Sequence, residues 1–124
     1  SMTMLDLDTW KHNSNDVFTF ASGGVRIPSD GTVLIYASVY FNTSSITKPE
    51  QLCVHVKHHN PSNPTGAEIG GQTTYCVSHT ACHLSPIMAQ VAAGDILTLH
   101  VRNMTASGTC IPNAKATGLT VIYL

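Results

Sequence analysis

Charge is scarce in this chain. Only 10% of its 124 residues are Asp, Glu, Lys or Arg, against about 25% in an ordinary globular protein. The six Lys and Arg residues are scattered and the net charge is −1. Nucleic-acid binding needs clustered positive charge, so that class is excluded. No apolar run approaches the roughly 18 residues of a membrane span, so no direct membrane insertion is expected. No secretory leader is visible, and Ser1-Met2 reads as a cloning scar. The expectation is therefore a domain cut from a longer protein. Cys-x-x-Cys spacing is absent, which removes the zinc-ribbon reading. A helical period of apolar residues is absent too.

Catalytic patterns are also missing. There is no Gly-x-Ser-x-Gly and no Cys-His signature. Of the seven acids, Asp30 and Asp95 read as turn residues. Acid–base chemistry needs carboxylates or histidines gathered in a cleft. We therefore expect no enzymatic activity, no catalytic residues, no cofactor and no metal.

Hydrophobic residues make up 43% of the chain. They alternate or run in short blocks, punctuated by Gly, Pro, Asn and Ser about every 8–12 residues, as in an all-β fold. The expected architecture is a two-sheet antiparallel β-sandwich. Its strands are predicted at Asp16–Ala21, Gly24–Ile27, Thr32–Asn42, Gln51–His59, Gly71–Ser78, Pro86–Ala92, Asp95–Asn103 and Ala116–Leu124. Residues 1–15 read as an N-terminal segment holding the scar and a first strand, and residues 16–124 as one domain with one core. Asn60-Pro61-Ser62-Asn63-Pro64-Thr65-Gly66 reads as a loop by composition.

Thr32–Asn42 is the most informative stretch. Val33, Ile35, Ala37, Val39 and Phe41 share one face; Leu34, Tyr36, Ser38 and Tyr40 share the other. Neither face carries a charge. A sandwich strand has one face on the core and one free, and the free face should be polar. Here it is apolar and aromatic, so a neighbouring copy of the chain is the expected cover. Leu34, Tyr36, Ser38 and Tyr40 are accordingly the expected interface between copies, which the resemblance below makes a homotrimer interface. The low surface charge points the same way.

The residues from Arg26 to Phe41 (Arg-Ile-Pro-Ser-Asp-Gly-Thr-Val-Leu-Ile-Tyr-Ala-Ser-Val-Tyr-Phe) resemble the tumour necrosis factor ligand family. There a Pro-Ser-acid-Gly turn leads into Leu-Ile-Tyr-Ser-x-Val-x-Phe. Ala92-Ala93-Gly94-Asp95 is similar to that family's Gly-Asp turn. The related C1q globular heads fit by spacing at Asn13, Phe18 and Gly31, with Val25, Val33, Ile35 and Ala37 where that family has aromatics. Ala116-Thr117-Gly118 replaces the ligand family's closing aromatic-aromatic-Gly. The resemblance implies a TNF/C1q-like jelly roll that assembles as a trimer, with Tyr36 lining the axis. It implies a cytokine-like ligand that binds a cell-surface receptor at the grooves between subunits. The alternative is a C1q-like or phage or viral fibre head that binds glycans or surface proteins. Candidate contacts are Asn60, Asn63, Thr65 and Glu68 in the segment Asn60–Gly70, Lys48 in Thr43–Glu50, and Thr105 in Thr105–Asn113.

An extracellular setting, secreted or on a cell or virion surface, is expected from the cysteines and sequons. Cys53, Cys76, Cys82 and Cys110 allow two disulfides and three connectivities. Alternate connections of a sandwich lie at one end, which should gather Cys53, Cys82 and Cys110 at one pole with Cys76 nearby. A Cys53–Cys82 bridge would resemble that of some ligands, and Cys76–Cys82 is the local alternative. Asn42 and Asn103 head sequons and are glycosylation candidates. His55 and His59 should face opposite to His58, so the three cannot share one metal. Cys53, His55, Lys57 and His59 should share a polar outer face.

Overall fold

The computed structural model describes residues 3–4, 19–21, 23–42, 48–105, 109–112 and 118–124. Among these the fold is all-β: β1 (Thr3–Met4), β2 (Thr19–Ala21), β3 (Gly24–Arg26), β4 (Gly31–Asn42), β5 (Glu50–Asn60), β6 (Asn63–Cys76), β7 (Thr80–His83), β8 (Ile87–Val91), β9 (Ile96–Asn103), β10 (Ile111–Pro112) and β11 (Gly118–Tyr123). They form two antiparallel sheets. The first runs β2-β3-β9-β5-β6, with β1 beside β9. The second is built around β4. Ile35 pairs with both Val121 and Ile87, and Ser38 with both Gly118 and His83. A residue paired twice has one neighbour on each side, so β11 lies along one edge of β4 and β7 and β8 along the other. β10 continues the β11 edge, since Phe41 pairs with Pro112 and with Thr80 of β7.

The period-2 pattern explains the packing. Val33, Ile35, Ala37, Val39 and Phe41 of β4 are buried. They share one core with Leu52, Val54 and Val56 of β5, Leu97, Leu99 and Val101 of β9, and Leu119 and Val121 of β11. Each Val, Leu, Ile or Phe among them stabilises the sandwich by roughly 1.5–3 kcal/mol through removal from water.

Turns are held by the acids assigned to them. Asp95 Oδ2 accepts the Ala92 N–H at 2.9 Å, and its carbonyl accepts the Ile27 N–H at 2.8 Å. Asp30 Oδ1 accepts the Ala93 N–H at 2.8 Å. Tyr123 donates its hydroxyl to the Ser29 carbonyl at 2.7 Å, which ties the last strand to the turn that opens β4.

One expected loop is a strand. β6 begins at Asn63 rather than Gly71, and the chain reverses over Pro61-Ser62. Asn60 Oδ1 caps the reversal by accepting the Asn63 N–H at 2.8 Å. Pro64 is tolerated because β6 is an edge strand, where a missing N–H costs no ladder bond. Gly66, at φ +92°, absorbs the register shift between His58 and Asn60, and a side chain there would strike the His59 ring. Residues 60–70 are thus the distal half of a hairpin. The short strands β7 and β10 were not expected at all.

Candidate functional site

The outward row of β4 sits at the centre of the second sheet. Tyr36 and Tyr40 are 42% and 41% exposed, and Leu34 and Ser38 are half-buried. Register places Met88 and Ile122 on either side of Leu34, Thr120 beside Tyr36, His83 and Gly118 beside Ser38, and Ala81 beside Tyr40. Met88 is 67% exposed. Tyr40 and His83 meet edge to face, with ring centroids 5.9 Å apart. Between Tyr36, Ser38, His83, Gly118 and Thr120 lies a shallow hollow of about 170 Å³. Among the described residues of β4, β7, β8, β10 and β11 there is no Asp, Glu, Lys or Arg.

The outer face of the first sheet is polar. Cys53, His55 and Lys57 of β5 stand opposite Arg102, His100 and Thr98 of β9. His58 turns the other way, and its Nε2 lies 2.7 Å from Asp95 Oδ2. The histidines are therefore split between faces as expected. His59 Nδ1 contacts the Pro64 carbonyl at 3.0 Å, its Nε2 contacts Thr98 Oγ1 at 2.7 Å, and Thr98 Oγ1 contacts His100 Nε2 at 2.7 Å. A carbonyl only accepts, so His59 donates from Nδ1. In neutral His59 the other nitrogen then accepts the Thr98 hydroxyl, whose oxygen accepts from His100 Nε2. Burial pushes the His100 ring down to about 4, aided by the charges of Lys57, His59 and His55.

A second chain runs from Glu68 Oε2 to His55 Nδ1 at 3.1 Å and from His55 Nε2 to Cys53 Sγ at 3.0 Å. Gly71 makes it possible, because a side chain there would strike the His55 ring. The order is that of a nucleophile, a base and an orienting carboxylate. The sulfur, however, is buried, and burial pushes its thiol above the usual range. It does not line the adjacent open hollow of about 480 Å³, which is bounded by His55, Glu68, Gly70, Gly71, Gln72 and Thr73. Among the described residues no cluster of His, Cys, Asp and Glu could hold a metal ion.

The candidate partner contacts fall at two ends. Asn60, Asn63 and Thr65 lie at the tip of the β5–β6 hairpin, with Glu68 further down beside His55. Lys48 lies just before Glu50 at the opposite end of β5, about 30 Å away at roughly 3.3 Å per residue. Thr105 is held at that same end, where its Oγ1 accepts the Gln51 N–H at 2.8 Å. The sequon residue Asn42 meets His79 Nδ1 through its Oδ1 at 3.0 Å. Asn103 uses both ends of its amide: Nδ2 donates to Glu50 Oε1 at 2.8 Å, and Oδ1 accepts the Thr105 N–H at 2.9 Å. A glycan on Asn103 would be carried by that same Nδ2, which keeps one N–H.

Glu50 was not anticipated as a keystone. Besides Asn103, its carboxylate accepts the Thr109 N–H at 2.8 Å and the Cys110 N–H at 2.9 Å. The Cys110 N–H, then the Asn103 amide, hold the carboxyl at about 2.

The two expected disulfides are not formed; all four cysteines are buried thiols. Cys76, Cys82 and Cys110 belong to the core cluster, and Cys53 does not. The reason is register. Leu52 and Val54 point into the core, so Cys53 between them points out, whereas Cys82 stands beside Val39 and points in. That separation leaves a Cys53–Cys82 bridge without support.

No protein-family model matches the chain, and no curated protein matches it.

Proposed function

We propose that the chain is a non-enzymatic recognition domain that works as a homotrimer, built on a TNF/C1q-like jelly roll. The observation that carries the reading is the outward row Leu34, Tyr36, Ser38 and Tyr40, with both tyrosines exposed, in a sheet whose described strands hold no charged side chain. The occupant of this face is a second copy of the same chain. Rotational symmetry brings like side chains together near an axis. Identical charges would repel there, whereas neutral aromatic and aliphatic groups pack on one another. The strand order supports the jelly-roll part. The chain crosses between sheets from β3 to β4, β4 to β5, β6 to β7, β8 to β9 and β9 to β10, so sequence neighbours repeatedly lie in opposite sheets. On the resemblance at Arg26–Phe41, the trimer is an extracellular cytokine-like ligand whose receptors sit in the grooves between subunits. Threefold symmetry then gathers receptors, and gathering multiplies weak single contacts.

Light scattering tests the assembly. The expected molar mass is about three times the chain's 13.2 kDa. Tyr36→Asp should give a folded monomer, because association would bury an unpaired charge in each copy. A wild-type monomer at high concentration would remove the proposal. Binding to whole cells separates the partners: loss after protease treatment supports a protein receptor, and loss only after glycosidase treatment supports a glycan-binding head.

A further inference from the structure

Cys76 and Cys110 approach each other from different sheets. Cys76 ends β6 of the first sheet, and Cys110 leads into β10 of the second. Glu50 brings them together. It pairs with Cys76 in the β5–β6 ladder, and its carboxylate accepts the backbone N–H groups of Thr109 and Cys110. Through Glu50 the two buried residues become neighbours. The Cys76 thiol donates its proton to the Ser78 carbonyl at 2.8 Å. Both sulfurs belong to the core cluster.

We infer that Cys76 and Cys110 form a redox couple: a disulfide closes between them under oxidising conditions and staples the two sheets at the Glu50 pole. Cys53 and Cys82 stay as thiols. The pairing belongs to one of the three connectivities that the sequence left open. The oxidant is a small-molecule disulfide such as oxidised glutathione. One protein thiol, as its thiolate, attacks an oxidant sulfur. That breaks the oxidant's S–S bond, forms a mixed disulfide and releases one small thiol. The second protein thiolate attacks the protein-bound sulfur and releases the other small thiol. The protein loses two protons and two electrons, and the oxidant is reduced to two thiols.

Burial, the Cys76 thiol and the Glu50 carboxylate together push the Cys110 thiol up to about 12. Both residues are buried, so an oxidant reaches them slowly in the folded chain and the bond closes mainly during folding. Once closed, it removes the need to bury two thiols beside a carboxylate.

Peptide mapping without reduction tests this on the wild-type chain refolded with oxidised glutathione. The expected result is one linked pair, the Cys76 peptide with the Cys110 peptide. Reduction should lower Tm by roughly 10 °C. Cys76→Ser and Cys110→Ser should each abolish that difference, while Cys53→Ser and Cys82→Ser should leave it in place. A Cys76–Cys82 link, any link through Cys53, or no link at all overturns the inference. Mapping the wild-type chain keeps the test decisive if a variant fails to fold. Its outcome is independent of the molar mass that tests the trimer.

Discussion

The two sheets bury similar inner faces but present opposite outer ones. The second sheet offers tyrosines, Met88, Ile122 and small neutral residues, with no charged side chain among its described strands. The first carries Arg26, Lys57, Glu68 and Arg102, with His55, His59 and His100 joined into hydrogen-bonded chains. A face whose polar groups already bond one another needs no partner to satisfy them. A face of half-exposed rings leaves apolar area in water, and covering it is favourable at about 25 cal/mol per Å². This asymmetry is why the second sheet is the face proposed for association.

Moving charge between the faces gives the strongest test. Ser38 sits at the centre of the uncharged face, between His83 and Gly118. Ser38→Lys should weaken self-association by more than about 100-fold, since an unpaired buried charge costs roughly 3–5 kcal/mol and each 1.4 kcal/mol is tenfold. Gln72→Lys, on the exposed rim of the first sheet's hollow, should leave association unchanged. Sedimentation over a concentration series reads both. Equal effects would erase the distinction between the faces.

Acid should discriminate in the reverse sense. His100 is 8% exposed, and its ring is held at about 4 instead of 6.5. In this lowered state the fold favours the neutral ring, so the unfolded chain binds the proton first as pH falls. The stabilisation is complete above about 6.5 and is lost as pH drops through the folded value near 4. The loss should be on the order of 3 kcal/mol, from 1.36 kcal/mol per pKa unit. Denaturant melts at pH 7 and pH 4 measure it. His100→Asn should flatten the dependence over that window. An unchanged slope in the variant would mean that other groups carry the acid response.

What could be read in advance follows interaction range. The two faces of β4 were legible because alternation is local and no charge interrupts it from Val33 to Phe41. The Gly24, Ile96 and Gly118 strands were legible as short apolar blocks set off by turn residues. Residues 63–70 were not, because Pro64 and Gly66 punctuate a loop and an edge strand alike, and only the pairing with β5 decides between them. Glu50 was opaque for a different reason. Its partners Asn103, Thr109 and Cys110 lie far along the chain and meet it only after both sheets have formed. The approach of Cys76 to Cys110 through Glu50 depends on that same closure. Counting cysteines yields the possible connectivities but cannot rank them.

The smallest expected effect lies on the polar face itself. Glu68 Oε2 and His55 Nδ1 lie 3.1 Å apart, but the carboxylate side chain is half exposed. Water and salt screen such a pair, so Glu68→Gln should cost no more than about 1 kcal/mol. The amide can still accept from His55 Nδ1, which preserves the ring's orientation beside Gly71. Association should not change, because Glu68 belongs to the first sheet. A loss near the size predicted for His100 would show that the outer network of the first sheet acts as one coupled unit, with Glu68 fixing His55 and Cys53 in place. A double variant, Glu68→Gln with His55→Gln, separates the two outcomes: a coupling energy well above the exposed-pair range demands the network, and one within it leaves a surface pair standing alone.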